Sequence, residues 1–320
     1  MKNNKKVWLI GTGIMALDYA KVLKALNVNF EVIGRGEANA IKFEKETGIK
    51  PFIGGLETAL KVFGFAPDYV INSVGIDKLT EVNKLLLNEG VQNILIEKPA
   101  VAYADEVFEL NDLATLKKID PLLAYNRRFY ASVYEAQNII NSDEGVTSFA
   151  FEFTEWSHVI EKLEGKTQAE LENWFLGNST HVIDLAFYLG GEPKDIATFH
   201  SGKNNLKWHP VSSNYSGAGL TTNGALFSYH ADWTAPGRFS VEIMTKKHRL
   251  IFRPLEKLQI QNIGSVAINM VDGIDYTLDE LYKPGLYLQT KCFLENDVSR
   301  FCRLSDQARR MQLYKKMSGL

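Results

Sequence analysis

Cysteine is scarce in this chain: Cys292 and Cys302 are the only two in 320 residues. Neither their number nor their spacing describes a disulfide framework or a metal site, and a reducing, cytoplasmic setting fits. An excess of one charge is also missing. Thirty-six Lys and Arg against 38 Asp and Glu leave a net charge of −2, so the chain carries no electrostatic footprint for nucleic acid. No run of about 18 apolar residues exists, which argues against a membrane span. Lys2, Lys5 and Lys6 precede an apolar run in the manner of a signal peptide, but Gly11, Gly13 and Asp18 break that run, and it reads better as a first strand. His158, His200, His209, His230 and His248 share no ligand spacing, so they read as structural or surface residues and no metal is expected. Internal repeats and low-complexity segments are absent. What remains is an ordinary globular composition, 45% hydrophobic and 23% charged, at a length that suits about two domains.

Residues 1–125 alternate short apolar runs with helical patterns. The runs are Val7–Ile10, Phe30–Ile33, Tyr69–Val74, Asn93–Ile96 and Leu122–Tyr125. Helical stretches lie near Met15–Leu26, Ala38–Thr47, Leu56–Val62, Leu79–Asn88 and Ala104–Lys117. This alternation predicts βαβ units and a doubly wound parallel sheet of Rossmann type. After Arg128 the character changes. A helix over Tyr130–Asn141 leads to an alternating strand, Val146–Thr154, and a second helix runs from Asn178-Ser179-Thr180 to Gly190-Gly191. Residues 195–261 read as consecutive strands with turns at Ser201-Gly202, Thr222-Asn223-Gly224 and Lys246-Lys247. Helices near Gly285–Phe301 and Ser305–Met317 close the chain. Residues 126–320 are therefore expected to form an α+β domain on a mostly antiparallel sheet, with the final helices able to pack back on the first domain. One face of that sheet would need cover, which suggests a homo-oligomer, a dimer or tetramer, through it.

The stretch Lys5–Ala16, KKVWLIGTGIMA, is strand, glycine turn and helix in succession. In that context G-x-G-x-x-A is a dinucleotide-binding signature. Gly11 permits the tight turn, Gly13 lets backbone approach a pyrophosphate, and Ala16 lets the helix pack close. The turn Gly11-Thr12-Gly13 and the helix opening at Ile14 and Met15 would present N–H groups and a positive dipole end to phosphates. About twenty residues on, an acidic side chain usually grips the ribose of NAD. Here Arg35 stands there, between Glu31 and Glu37, and a guanidinium suits a 2′-phosphate. NADP(H) is therefore favoured and NAD(H) is the alternative, in which case Arg35 is only a solvated loop charge. The fifth apolar run ends in Glu97-Lys98-Pro99, at the crevice where open α/β sheets bind ligands. Lys98 should project near the nicotinamide, where desolvation and the positive ring favour proton chemistry.

GTGIMA, IEKPA after the fifth strand and Tyr125–Phe129 (YNRRF) at the sixth together resemble the glucose–fructose oxidoreductase / inositol dehydrogenase / rhizopine-catabolism (Gfo/Idh/MocA) family, over essentially the whole chain. The resemblance implies that Lys98 is an active-site residue, that a cis bond precedes Pro99, and that Glu97 belongs with the cofactor-site residues. It also implies that Ser73-Val74-Gly75 lines the nicotinamide ribose. Where many members continue that loop with proline, asparagine and histidine, this chain has Gly75, Ile76 and Leu79. In the second domain, His181 and Asp184 match the later half of the family's D-x-G-x-H-x-x-D pattern, which makes His181 a general acid/base. Gly177 and Ser179 replace the earlier Asp and Gly. By spacing, His181, Asp184 and Tyr188 share a helix face, and the Asp184 carboxylate is placed to orient the imidazole.

Asn126, Arg127 and Arg128 sit at the domain junction, where they either hold a substrate anion or brace the junction. Trp174 either stacks on a sugar or is a buried hinge. Glu155–Glu172 reads as a charged, mobile cover, and Lys203–His209 as a basic loop. The expected function is NAD(P)-dependent hydride transfer at a carbinol or ketone carbon of a sugar, sugar acid or sugar nucleotide. One alternative is reduction of C=N or conjugated C=C bonds, as in dihydrodiol and biliverdin reductase-like relatives. The other is a non-catalytic NADP(H)-sensing regulator.

Overall fold

The computed structural model describes residues 5–320; Lys2 of the basic N-terminal stretch lies outside the described residues. The chain divides into two compact units. One comprises the residues up to Asn126 with Glu280–Met311, the other Arg127–Asp279 with Gln312–Leu320. The C-terminal helix Leu304–Ser318 contributes residues to both.

In the first unit the apolar runs become β1 (Val7–Ile10), β2 (Phe30–Gly34), β3 (Phe52–Ile53), β4 (Tyr69–Asn72), β5 (Asn93–Ile96) and β6 (Leu122–Leu123). They alternate with α1 (Ile14–Ala25), α2 (Glu37–Thr47), α3 (Gly55–Phe63), α4 (Ile76–Asn88) and α5 (Glu106–Lys117). The sheet order is β6-β5-β4-β1-β2-β3 with every pair parallel, and a two-residue strand, Cys302–Arg303, adds antiparallel to the outer edge of β6. Every residue of β1 and β4 is buried. That is why they read as continuous apolar runs rather than alternating ones: a parallel sheet is covered on both faces. The expected helix over Gly285–Phe301 is shorter, Leu286–Glu295. Asn296 adopts φ 60° and ends it, and the Asp297 carboxylate accepts from Ser299, turning the chain into the edge strand.

The second unit holds a sheet of β7 (Ser148–Glu152), β8 (Pro193–Ser201), β9 (Asn214–Thr221), β10 (Leu226–Asp232), β11 (Ser240–Met244), β12 (His248–Phe252), β13 (Gln259–Asn262) and β14 (Asn269–Met270). Its order is β14-β13-β12-β11-β7-β10-β9-β8, antiparallel except for the parallel β7–β10 pair. Phe149 and Phe151 point to one face at period 2. The helix Thr180–Gly190 lies on that face, with Phe187 edge-on to Phe149, Phe151 and Phe227. Gly190 is required by this packing, since a Cβ there would run into the Phe149 ring. On the opposite face Glu152 pairs with Arg253 at 2.9 Å and Glu242 pairs with Arg249, while Leu226 is exposed.

The expected turn at Ser201-Gly202 instead opens a long connection before β9. Within it Lys203–His209 is more than a basic loop: Trp208 is buried and stacks on Trp233 at 5.6 Å, and His209 Nδ1 meets the Leu171 carbonyl at 2.8 Å. Among the described residues no helix is long and apolar enough to cross a membrane.

Candidate functional site

The glycine turn of the first unit separates two requirements. Gly11 has φ +114°, and a Cβ there would lie 2.8 Å from the Ser73 carbonyl oxygen. Ser73 cannot retreat readily, because its N–H and hydroxyl both donate to the Ile10 carbonyl, at 2.8 and 2.9 Å. Gly11 is therefore demanded by the fold. Gly13 is not: it is extended at φ −87°, and a Cβ on it would meet nothing within 4 Å. It caps α1 without a side-chain hydrogen bond, leaving the first-turn N–H groups without a side-chain acceptor from the cap beside a backbone with no Cβ. That cradle fits a phosphate. Thr12 is set by the absent side chain of Gly34, whose Cβ would come within 2.9 Å of the Thr12 methyl. Arg35 follows β2 directly and is exposed, Ile14 is exposed, and Met15 is half-buried with its Sδ 3.1 Å from the Lys283 ammonium.

The turn, Ser73 and Lys98 are gathered at the carboxyl ends of β1, β4 and β5. The Lys98–Pro99 peptide is cis, as the resemblance implies. Half-buried Lys98 leaves a strand end that is held from several sides. Glu97 N–H donates to the Asn72 carbonyl, Asn83 Nδ2 to the Ala100 carbonyl at 2.8 Å, and Gln307 Nε2 to the Pro99 carbonyl at 3.3 Å. Asn72 Nδ2 in turn donates to Asn83 Oδ1 at 2.7 Å. Glu97 itself points inward and accepts from the Tyr19 hydroxyl at 2.9 Å. Burial pushes its carboxyl above the ordinary range, with Lys98 and the Tyr19 hydrogen bond opposing. Burial and the facing Glu97 raise the Tyr19 phenol well above its usual value. Asn126 gives its amide to the Pro284 carbonyl at 2.8 Å. The support from Asn83 was not among the sequence expectations. Its signal was an amide on the apolar face of α4, spaced with Leu79 and Leu86.

In the second unit the expectation of a helix capped by Asn178, Ser179 and Thr180 needs correction. The chain is already helical from Phe175, as a π turn over Phe175–Ser179 that runs into Thr180–Gly190. No side chain caps that junction; Thr180 Oγ1 donates to the Leu176 carbonyl at 2.7 Å. Asn178 and Ser179 turn instead to Glu155. Asn178 Nδ2 reaches both carboxylate oxygens, at 2.8 and 3.0 Å, and Ser179 Oγ donates to one at 3.1 Å. Glu155 is therefore buried and no part of a mobile cover. The rest of that stretch forms two short helices, Ser157–Ile160 and Gln168–Glu172, the second opened by a capping box of Thr167 and Glu170.

Asp184, one turn beyond half-buried His181, is gripped through both oxygens by Arg128: Nε to Oδ2 at 2.7 Å and an Nη to Oδ1 at 2.5 Å. The Arg128 guanidinium also lies over the Tyr188 ring, 4.6 Å from its centroid. Arg127 rests over Phe239 at 4.9 Å. Trp174 is half-buried and edge-on to Trp208 at 5.7 Å. Among the described residues no group of three His, Cys, Asp or Glu side chains could hold a metal ion.

The fold, a Rossmann-like parallel sheet with a second, mostly antiparallel sheet, recurs in solved proteins over nearly the whole chain. UDP-N-acetylglucosamine 3-dehydrogenase from Acidithiobacillus ferrooxidans is 15% identical, over 98% of this chain and 97% of its own, with a TM-score of 0.73. An oxidoreductase from Agrobacterium radiobacter in complex with NAD+, L-tartaric acid and magnesium is 12% identical, over 98% and 95%, with a TM-score of 0.77. Levoglucosan dehydrogenase in complex with NADH and levoglucosan is 17% identical, over 98% and 95%, with a TM-score of 0.78. No family model matches the chain, and no curated protein sequence does.

Proposed function

We propose that this chain is an NAD(P)-dependent oxidoreductase that transfers a hydride at a carbinol or ketone carbon of a sugar, sugar acid or sugar nucleotide. The observation that carries the reading is the convergence of an open glycine cradle, Ser73 and a braced Lys98 at the carboxyl ends of adjacent parallel strands. The names of the solved proteins that share the fold support it.

Gly11, Thr12, Gly13, Ile14 and Met15 would hold the pyrophosphate of the dinucleotide, and Ser73 and Val74 the nicotinamide ribose. Arg35 would pair with a 2′-phosphate, favouring NADP(H) over NAD(H). When bound, the nicotinamide supplies or accepts the hydride. His181 exchanges the proton of the reacting hydroxyl. Lys98 donates to the oxygen on which negative charge develops, and Glu97, held by the Tyr19 hydroxyl at 2.9 Å, anchors the strand end that carries it. Asp184 and Arg128 fix the helix that carries His181. Asn126, Arg127 and Trp174 would contact the sugar. The half-exposed face of the second sheet, with Leu226 and the Glu152–Arg253 pair, would meet a second copy of the chain. Two cysteines outside any disulfide suit a reducing, cytoplasmic setting.

His181→Ala tests the chemistry. Turnover of sugars should fall about 10²–10⁴-fold, the range of a lost acid/base group, with NADPH affinity unchanged in a fluorescence titration. Undiminished turnover would refute the role and favour C=N or C=C reduction. Cofactor binding with no turnover of any substrate in the parent protein would favour a sensor.

A further inference from the structure

The second unit contains a carboxylate that the reading above leaves unused. Glu155 is 2% exposed, three residues beyond the end of β7, and accepts three hydrogen bonds. All three come from Asn178 and Ser179, the last residues of the π turn, which ends two residues before His181. A π turn adds a residue to the helical register and so sets the angular position of everything after it; such turns are frequent at functional sites. Asn178 and Ser179 cannot cap a helix here, because the backbone on both sides is already helical. Their polar groups serve to tie the turn to Glu155.

We propose that Glu155 is the positioning carboxylate of the acid/base helix, supplied from the end of β7 in place of the acid that Gly177 does not provide. The inference rests on the assignment of His181 as the proton-exchanging residue. Burying an ionised carboxylate is costly, and here both of its oxygens are used, one accepting from Asn178 and Ser179 and the other from Asn178; a neutral amide has a single acceptor oxygen and would turn its own N–H groups toward the Asn178 amide. The tie holds the turn through both oxygens, and the negative charge it brings there favours the protonated imidazole on the helix that follows.

The surrounding charges are compatible with an ionised group. Arg238, from the segment before β11, stands 3.8 Å from Glu155 Oε2 and is itself flanked by the rings of Trp156 and Phe239 at 4.4 and 4.1 Å. Arg127 adds a second favourable charge, and the phenol of Tyr215 on β9 faces the same carboxylate. On the helix itself Asp184 is balanced by Arg128. Burial raises the carboxyl, and Asn178, Arg238 and Ser179 oppose that rise.

The test is a ring-labelled histidine NMR titration of the full chain, with the His181 resonance assigned by its loss in His181→Gln. In Glu155→Gln the His181 pKa should fall by about half to one unit, the effect of removing one nearby negative charge across a poorly screened interior. The matching limb of the kcat–pH profile should move by the same amount, with NADPH affinity held within about twofold. An unshifted His181 pKa in a variant that still binds NADPH overturns the proposal. Should Glu155→Gln not fold, Asn178→Ala removes two of the three hydrogen bonds at a half-buried position. Its kcat should drop about tenfold with a shifted His181 titration; parental kcat and titration overturn the proposal. A parent protein that turns over no sugar refutes the oxidoreductase reading alone, since the NMR titration still decides Glu155.

Discussion

Gly11 and Gly13 lie two residues apart, and a methyl group on each should do opposite things. In Gly11→Ala the alanine must hold φ +114°, which costs about 1–2 kcal/mol. Its Cβ must also displace a Ser73 carbonyl carbon and oxygen 2.9 and 2.8 Å away, and overpacking of that kind costs about 1–3 kcal/mol. The sum, roughly 2–5 kcal/mol, corresponds to a fall in melting temperature of roughly 5–15 °C. Gly13→Ala meets no atom within 4 Å and keeps an allowed φ of −87°. Restricting the unfolded chain should then stabilise the fold by about 0.4–1 kcal/mol. The same methyl fills the space assigned to the pyrophosphate, so NADPH and NADH affinity should fall at least tenfold, about 1.4 kcal/mol or more. Urea denaturation and fluorescence titration of both variants separate the two effects. Parental dinucleotide affinity in Gly13→Ala would refute the cradle, and with it the cofactor assignment.

Three further outcomes follow from the same geometry. Arg35→Asp should reverse the cofactor preference, weakening NADPH binding and sparing NADH; equal effects on both in paired titrations would make Arg35 a loop charge only. The raised folded pKa of Glu97 means that its contribution to stability is fully present below its ordinary 4.5 and is lost as pH climbs through the folded value. Glu97→Gln should therefore gain on the parent in urea midpoint between pH 4.5 and pH 7.5, and a constant difference across that window would contradict the burial argument. Asp184→Asn strips the partner from buried Arg128 and should cost about 3–5 kcal/mol in urea unfolding; a loss below about 1 kcal/mol would mean that the pair is not the brace described.

The first sheet was legible because its strands are buried on both faces and its turns carry glycine, so β1, β2, β4, β5 and β6 announce themselves as runs. β3 and Cys302–Arg303 were not, since neither two-residue strand sits in a longer apolar run as β6 does at 122–125, and each exists only through its partner. The same limit hid the π turn: one extra residue in a helix leaves no mark on apolar spacing. Polar residues at 178–180 resemble a cap whether or not the preceding turn is helical. Glu155 escaped for a related reason. Next to the charged stretch that follows, it reads as one more surface acid, and only the fold shows that β7 delivers it to the underside of residues 178–179. Trp208 was concealed by its basic neighbours, although a tryptophan in a lysine-rich loop was itself a sign of an anchored segment.

The two-residue edge strand has a consequence for how the protein is made. Cys302–Arg303 pairs with β6, and Glu280–Met311 as a whole belongs to the first unit. During synthesis the parallel sheet therefore waits, with the outer edge of β6 bare, until residues 302–303 have emerged. Pairings that distant in sequence are slow to close, and a bare strand edge invites association with other nascent chains. Removing Cys302–Arg303 should accordingly injure the sheet that carries the glycine turn, turning a small deletion far from that turn in sequence into a loss of soluble expression.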